Sequence, residues 1–165
     1  MSRRIAVDAS RCTGCRGCAL TCSLNRSGEV RLAAAAIRIV SQPDEGGSVP
    51  LVCVSCPERP CVSACPVGAI RDAEDTPIID PDRCIGCRLC IRACPYDAIG
   101  FDPVMKKAVK CDLCGGEPLC LQVCNAATTM PGTLSLSEGP ASEELLGAAL
   151  ERAQNAARWR EASHA

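Results

Sequence analysis

Sixteen cysteines carry nearly all the chemistry this 165-residue sequence can offer. They fall into four groups of four: Cys12, Cys15, Cys18 and Cys22; Cys53, Cys56, Cys61 and Cys65; Cys84, Cys87, Cys90 and Cys94; and Cys111, Cys114, Cys120 and Cys124. Every group opens C-x-x-C and closes C-x-x-x-C, and only the middle gap varies, at two, four, two and five residues. Thiols in such numbers serve either as disulfide partners or as metal ligands, and the compartment separates the two. The opening MSRRIAVDASRC has an Arg pair but no long apolar stretch behind it, because Asp8 and Arg11 interrupt. That is not the pattern of a secretory signal, so the expectation is a cytoplasmic chain with reduced thiols. The longest apolar run, residues 32–37, is far short of the roughly 20 residues of a membrane span.

Sixteen thiolates would also suffice for four zinc sites. Zinc, however, gives no reason for every group to close with a cysteine three residues on. The third group, CIGCRLCIRACP, matches the bacterial ferredoxin run C-x2-C-x2-C-x3-C-P residue for residue. In that run three cysteines on a tight loop wrap one [4Fe-4S] cubane, and the fourth ligates the other cluster of the pair. The fourth cysteine is expected to begin the next helix, with the following Pro at a first helical position. One motif is half of a two-cluster unit, so four motifs make two units and four [4Fe-4S] clusters.

The rest of the composition agrees with a cofactor-centred interior. One Phe, one Tyr and one Trp cannot supply the large buried area that aromatic side chains normally give a core. A net charge of −1 with no basic stripe gives no support for nucleic-acid binding. The lone histidine, His164, stands second from last, and no Gly-rich phosphate loop or acid–base pair stands out. The chain is therefore expected to be non-catalytic, with the chemistry in a partner. Lys106, Lys107, Lys110, Arg88 and Arg92 lie near the cysteines in sequence and are expected to be solvated charges, with easing of reduction or guidance of docking as the functional reading.

The elements that must hold these motifs are short. β-like runs at residues 5–8, 49–52 and 108–110 precede the first, second and fourth motifs; another at 76–80 precedes the third, and 98–101 follows it. Residues 23–48 are an insertion with an expected strand at 35–40 and a turn in QPDEGGS. From about Asn125 to Pro140 the chain reads as a polar connector. Residues 142–161 read as a helix capped by Ser142, with Glu143 and Glu144 at its positive end. Leu146, Leu150, Ala153 and Ala157, with Leu145, form its expected apolar stripe. This helix either packs on its own domain or docks onto a partner subunit or a second copy.

Over residues 3–130 the sequence resembles four-cluster ferredoxin-like subunits that serve molybdenum or tungsten pterin oxidoreductases, and related carbon monoxide dehydrogenase or hydrogenase carriers. The resemblance implies an α+β fold of two pseudo-symmetric bacterial-ferredoxin-like units plus a C-terminal helix. Motif one pairs with motif four (residues 1–52 and 103–130), motif two with motif three (53–102), and 131–165 forms the connector and docking helix. It implies Cys12, Cys15, Cys18 and Cys124 as ligands of cluster one, and Cys111, Cys114, Cys120 and Cys22 of cluster two. Cys53, Cys56, Cys61 and Cys94 would hold cluster three, and Cys84, Cys87, Cys90 and Cys65 cluster four. The compact CDLCGGEPLC, with CSLNRSGE and AAIRIV, is similar to the small subunits of tungsten aldehyde oxidoreductases. Implied partners are a large catalytic subunit and a flavin- or NAD-linked subunit or soluble ferredoxin; a free-standing polyferredoxin is the alternative. Cys22 and Cys124 depart from the pattern, being followed by Ser and Asn where Cys65 and Cys94 are followed by Pro.

Overall fold

A computed structural model describes residues 3–41, 47–126 and 132–162. Its strands pair as four separate two-stranded antiparallel sheets. β1 (Arg3–Val7) pairs with β8 (Leu134–Glu138), bringing together strands that flank the first and fourth motifs. β2 (Arg38–Ser41) and β3 (Ser48–Leu51) make a hairpin ahead of the second motif. β4 (Ile70–Arg71) pairs with β5 (Ile78–Ile79) between motifs two and three. β6 (Gly100–Asp102) pairs with β7 (Lys107–Val109) between motifs three and four. Each strand run expected next to a motif therefore exists, shifted by one or two residues.

Two expectations change here. The strand expected at 35–40 starts only at Arg38, because Ala34–Ile37 are buried in the core without a strand partner. Most of the turn expected in QPDEGGS lies outside the described residues. The polar connector contains β8, whose main chain pairs with β1 from Leu134 against Val7 to Glu138 against Arg3. Leu134 is buried and the serines of LSLSE are mostly exposed. Leu134 packs into the core while main-chain pairing with β1 holds the rest; so short a run among Gly and Pro reads as a linker by composition.

Short helices follow the cysteine loops: α1 (Gly17–Ser27), α2 (Pro60–Ser63), α3 (Leu89–Ala93) and α4 (Leu119–Ala126). α1 packs on α4 and α2 on α3. One buried cluster joins Ile5, Ala19, Ala35–Ile37, Val52, Leu113 and Leu134 to Cys18, Cys22 and Cys120. A second joins Ala69, Ile70, Ile99 and Ala108 to Cys61, Cys84 and Cys90. Cysteines occupy core positions that large apolar residues would fill elsewhere.

α5 (Glu143–Ala162) lies across the β2–β3 hairpin of its own chain. Ser142 caps it, its Oγ accepting from the Leu145 N–H at 3.2 Å. The buried stripe is Ala149, Arg152, Ala153 and Ala156, with Ala156 wholly enclosed against Val49 and Leu51 and Trp159 packed alongside. Leu150 and Ala157, expected on that stripe, are exposed. Alanine lets the helix approach the hairpin closely, so the small residues face inward and the register rotates from the leucine-based expectation. Overpacking a filled core site costs typically 1–3 kcal/mol. Ala156→Leu is accordingly expected to lower the thermal midpoint measurably by calorimetry, whereas Leu150→Ser should change stability by less than about 0.5 kcal/mol.

Candidate metal centre

The backbone of the cysteine loops repeats even where the sequence does not. The residue just before the second cysteine of every C-x-x-C is left-handed: Gly14 (φ +72°), Ser55 (+48°), Gly86 (+71°) and Leu113 (+58°). Left-handed turns of this kind point successive N–H groups into a concavity that suits anions, including iron–sulfur centres. Gly is free to adopt such a φ; Ser55 and Leu113 hold it at a cost of roughly 1–2 kcal/mol each. Ser55 is fixed by donating its hydroxyl to the Asp75 carbonyl at 3.0 Å while its N–H points to Cys53 Sγ at 3.4 Å. Leu113 is fixed by its burial in the first core. Arg16, Arg59 and Arg88, each immediately ahead of α1, α2 or α3, are left-handed as well.

These loops bring the cysteines together across the chain. Cys12, Cys15, Cys18 and Cys124 line one cavity. Cys65, Cys84, Cys87 and Cys90 line a second, and Cys53, Cys56, Cys61 and Cys94 a third. Cys22 stands near Cys114 and Cys120, and Cys120 near Cys111, so the remaining four also converge. Among the described residues no three His, Cys, Asp or Glu side chains come close enough to share a single ion. Four cysteines lining one cavity is an arrangement that suits a polynuclear cluster. Cys15 and Cys87 are exposed, while no member of the other two quartets is.

The fourth cysteine of each motif corrects the expected helix start. Cys94 terminates α3 in extended conformation (ψ 110°), and Cys65 follows the end of α2. Pro66 and Pro95 therefore stop a helix, since a residue before Pro is pushed out of helical geometry. Where Ser23 and Asn125 replace Pro, the helix runs through: Cys22 and Cys124 lie inside α1 and α4. The Pro turn curls the chain over the sulfur. Burial opposes ionisation of Cys65, but the N–H groups of Ile70, Ala69, Val67 and Gly68 carry its thiol below the usual range. Cys22 lacks that turn and takes an N–H from Ala36 at 3.3 Å instead, so part of the 23–48 insertion supplies its donors. Asn125 uses its side-chain oxygen to accept from the Gly132 N–H at 3.0 Å, tying α4 to the approach to β8.

Burial pushes most of the other thiols up. Cys18 and Cys120 reach about 12, each raised first by burial and then by neighbouring cysteines. Cys56, Cys61 and Cys90 reach about 11 for the same first cause, and Cys111 is raised as well. Cys53 is the exception: burial works against it, but the Lys110 charge and the Ser55 N–H bring its thiol below the usual value. Sequence reasoning placed Lys110 among the solvated charges. It is buried, its ammonium donating to Thr76 Oγ1 and the Pro77 carbonyl at 2.7 Å each and to the Cys111 carbonyl at 3.0 Å. The signal was absent from the local sequence because both other partners lie more than thirty residues away. Lys106, Arg88 and Arg92 are exposed, and Arg88 stacks over the Phe101 ring at 3.8 Å. Lys107 donates to the Cys84 carbonyl at 2.5 Å.

The sequence profile of the 4Fe-4S dicluster domain matches residues 46–134, and that of a 4Fe-4S binding domain matches residues 9–25. The chain belongs to the ferredoxin-like 4Fe-4S family. This 4Fe-4S protein is 38% identical, over 125 residues, to the aliphatic sulfonate oxidoreductase polyferredoxin-like subunit of Pyrococcus furiosus, covering 74% of this chain and 72% of that one. It is 30% identical to one of the tetrathionate reductase subunits of Salmonella typhimurium over 141 residues, which is 78% of this chain and 56% of that one. Among solved structures it resembles a chain of the active site complex BamBC of benzoyl coenzyme A reductase with benzoyl-CoA. That match has a TM-score of 0.50 and 28% identity and covers 90% of this chain and 86% of that one. Sixteen cysteines and the matched 4Fe-4S domains fit four [4Fe-4S] clusters. No helix among the described residues is long and apolar enough to cross a membrane.

Two outcomes check this site. A Cβ at Gly86 would stand 2.3 Å from the Lys106 carbonyl oxygen, whereas Gly115, at an equal φ, has nothing within 4 Å. Gly86→Ala is expected to lose about a quarter of the bound iron, by colorimetric assay, and Gly115→Ala to keep it, because only the first adds a backbone collision to the left-handed penalty. Second, thiols held near 11 or 12 are neutral in the metal-free chain at neutral pH and must lose their protons to bind metal. Acid favours the protonated, metal-free state, so chelator stripping should run faster at about pH 6 than at about pH 8, with proton uptake.

Proposed function

We propose that the chain is an electron-transfer subunit: a wire of four [4Fe-4S] clusters serving a catalytic oxidoreductase partner. The observation that carries the proposal is the convergence of four motifs into four cysteine quartets, each taking three sulfurs from one motif and one from another. Cys12, Cys15, Cys18 and Cys124 would hold cluster one, and Cys111, Cys114, Cys120 and Cys22 cluster two. Cys53, Cys56, Cys61 and Cys94 would hold cluster three, and Cys84, Cys87, Cys90 and Cys65 cluster four. Each cluster, when bound, exchanges one electron at a potential set by charge, hydrogen bonds to sulfur and exposure. Motifs one and four would form one ferredoxin-like unit and motifs two and three the other, a division supported by the two separate buried cores.

Order along the wire follows from contact and exposure. Cys111 of the second quartet stands near Cys53 of the third, which joins the two units. Cys15 and Cys87, in the first and fourth quartets, reach the surface and would be the two ports. Around Cys87 the exposed Ile85, Val104 and Met105 form an apolar rim, since Gly86 packs directly on the 103–107 turn. The partner is proposed to be a large subunit with a tungsten or molybdenum pterin, an aldehyde oxidoreductase being favoured by the compact fourth motif. The names of the relatives support an oxidoreductase complex in general. With α5 packed on its own hairpin, the ports and the exposed face of that helix are the surfaces proposed for a partner.

Anaerobically purified chain is expected to contain about sixteen irons, four for each of four clusters. Affinity capture from its native host should retain a large subunit whose tungsten or molybdenum is read by elemental analysis. Zinc in place of iron would overturn the wire, and capture of no large subunit from a monomeric chain would leave a free-standing carrier. Cys124→Ser should deplete the cluster shared with Cys12, Cys15 and Cys18 and spare the one shared with Cys120.

A further inference from the structure

Lys110 is the one lysine buried among the described residues, at 3% exposed, and it sits at the junction of the two units. It precedes Cys111 of the second quartet and lines the cavity of the third with Cys53, Cys56, Cys61 and Cys94. A buried ammonium is costly unless its donors are met. Here three acceptors meet them: Thr76 Oγ1, the Pro77 carbonyl and the Cys111 carbonyl. None of the three is a carboxylate, so nothing among these contacts neutralises the charge.

Thr76 extends this arrangement to sulfur. Its oxygen, 3% exposed as a residue, accepts from Lys110, so its own hydrogen is free to point elsewhere. Cys53 Sγ lies 3.7 Å from that oxygen, within reach of a hydroxyl-to-sulfur hydrogen bond. An ammonium polarising a hydroxyl that donates to a thiolate favours extra negative charge there. Added negative charge is what arrives when a cluster is reduced.

We infer that Lys110, acting through Thr76 and Cys53, is a potential-setting residue that makes the inner clusters at the unit junction easier to reduce than their ligands alone would. The inference rests on the wire reading and deepens it. A charge fixed near the middle of the line would draw the potentials of the inner sites upward relative to what their thiolates alone would set. Lys110 is a positioning and electrostatic residue, with no part in proton transfer.

The test is an anaerobic redox titration of the full chain with dithionite, followed by electron paramagnetic resonance and paired with iron analysis. Lys110→Met removes the charge at similar volume, and Thr76→Val removes only the hydroxyl. In Lys110→Met, one or both inner couples should lose about tenfold in reduced-to-oxidised ratio at fixed potential, equivalent to about 59 mV for one electron. In Thr76→Val the same couple should shift in the same direction by less, and the remaining couples should hold their wild-type values in both. Full iron with all four couples unmoved in both variants overturns the inference, as does an equal shift of all four. If Lys110→Met does not assemble, Thr76→Val alone decides by the same readout. Wild-type chain without about sixteen irons would instead sink the wire reading itself, so the two failures are distinguishable.

Discussion

Negative sulfur in an apolar interior must be met by positive ends of dipoles, and this chain is built around supplying them. Each C-x-x-C turns through a left-handed residue so that amide hydrogens face inward. The demand is strong enough that Ser55 and Leu113 accept a backbone conformation that glycine takes without strain. The requirement also explains why the hydrophobic clusters are small and rich in alanine. The core is a lining, and its bulk is completed by what the cysteines hold.

The same constraint separates the two kinds of motif. In motifs two and three a proline after the last cysteine ends the helix and wraps the backbone over the sulfur. In motifs one and four the helix continues, and in motif one the Ala36 N–H supplies a donor to Cys22. The 23–48 insertion is therefore partly a donor loop, and the hairpin it leads into is in turn packed by α5 through Ala156 and Trp159.

How much of this was legible in the sequence follows from the range of each interaction. The four motifs are legible because ligand spacing within a motif is local, set by loop geometry over a dozen residues. The grouping of Cys124 with the first motif came only from resemblance, since no local pattern links residues more than a hundred positions apart. In β8, LSLSE does alternate apolar and polar, but the run is short, lies among Gly and Pro, and pairs with a strand more than a hundred positions away, so it reads as a connector. The inward face of α5 was misassigned because leucine marks a stripe more loudly than alanine, while close packing on a hairpin rewards the smaller side chain. Lys110 looked like any lysine next to a cysteine until the fold brought Thr76 and Pro77 to it.

The pairing of β1 with β8 closes the chain on itself, and it imposes an order in time. On the proposed grouping, residues 53–94 contain every ligand of the inner-sequence pair of sites, whereas Cys12, Cys15 and Cys18 wait for Cys124. Thirty residues separate Cys94 from Cys124, which at roughly 5–20 residues per second of synthesis is a delay of about two to six seconds. During translation the second unit can be furnished first, while a thiol trio at the front of the nascent chain stays open to oxidants and to the wrong metal. On that grouping the sites are sequential in their making, and the earliest-made cysteines are among the last to be protected.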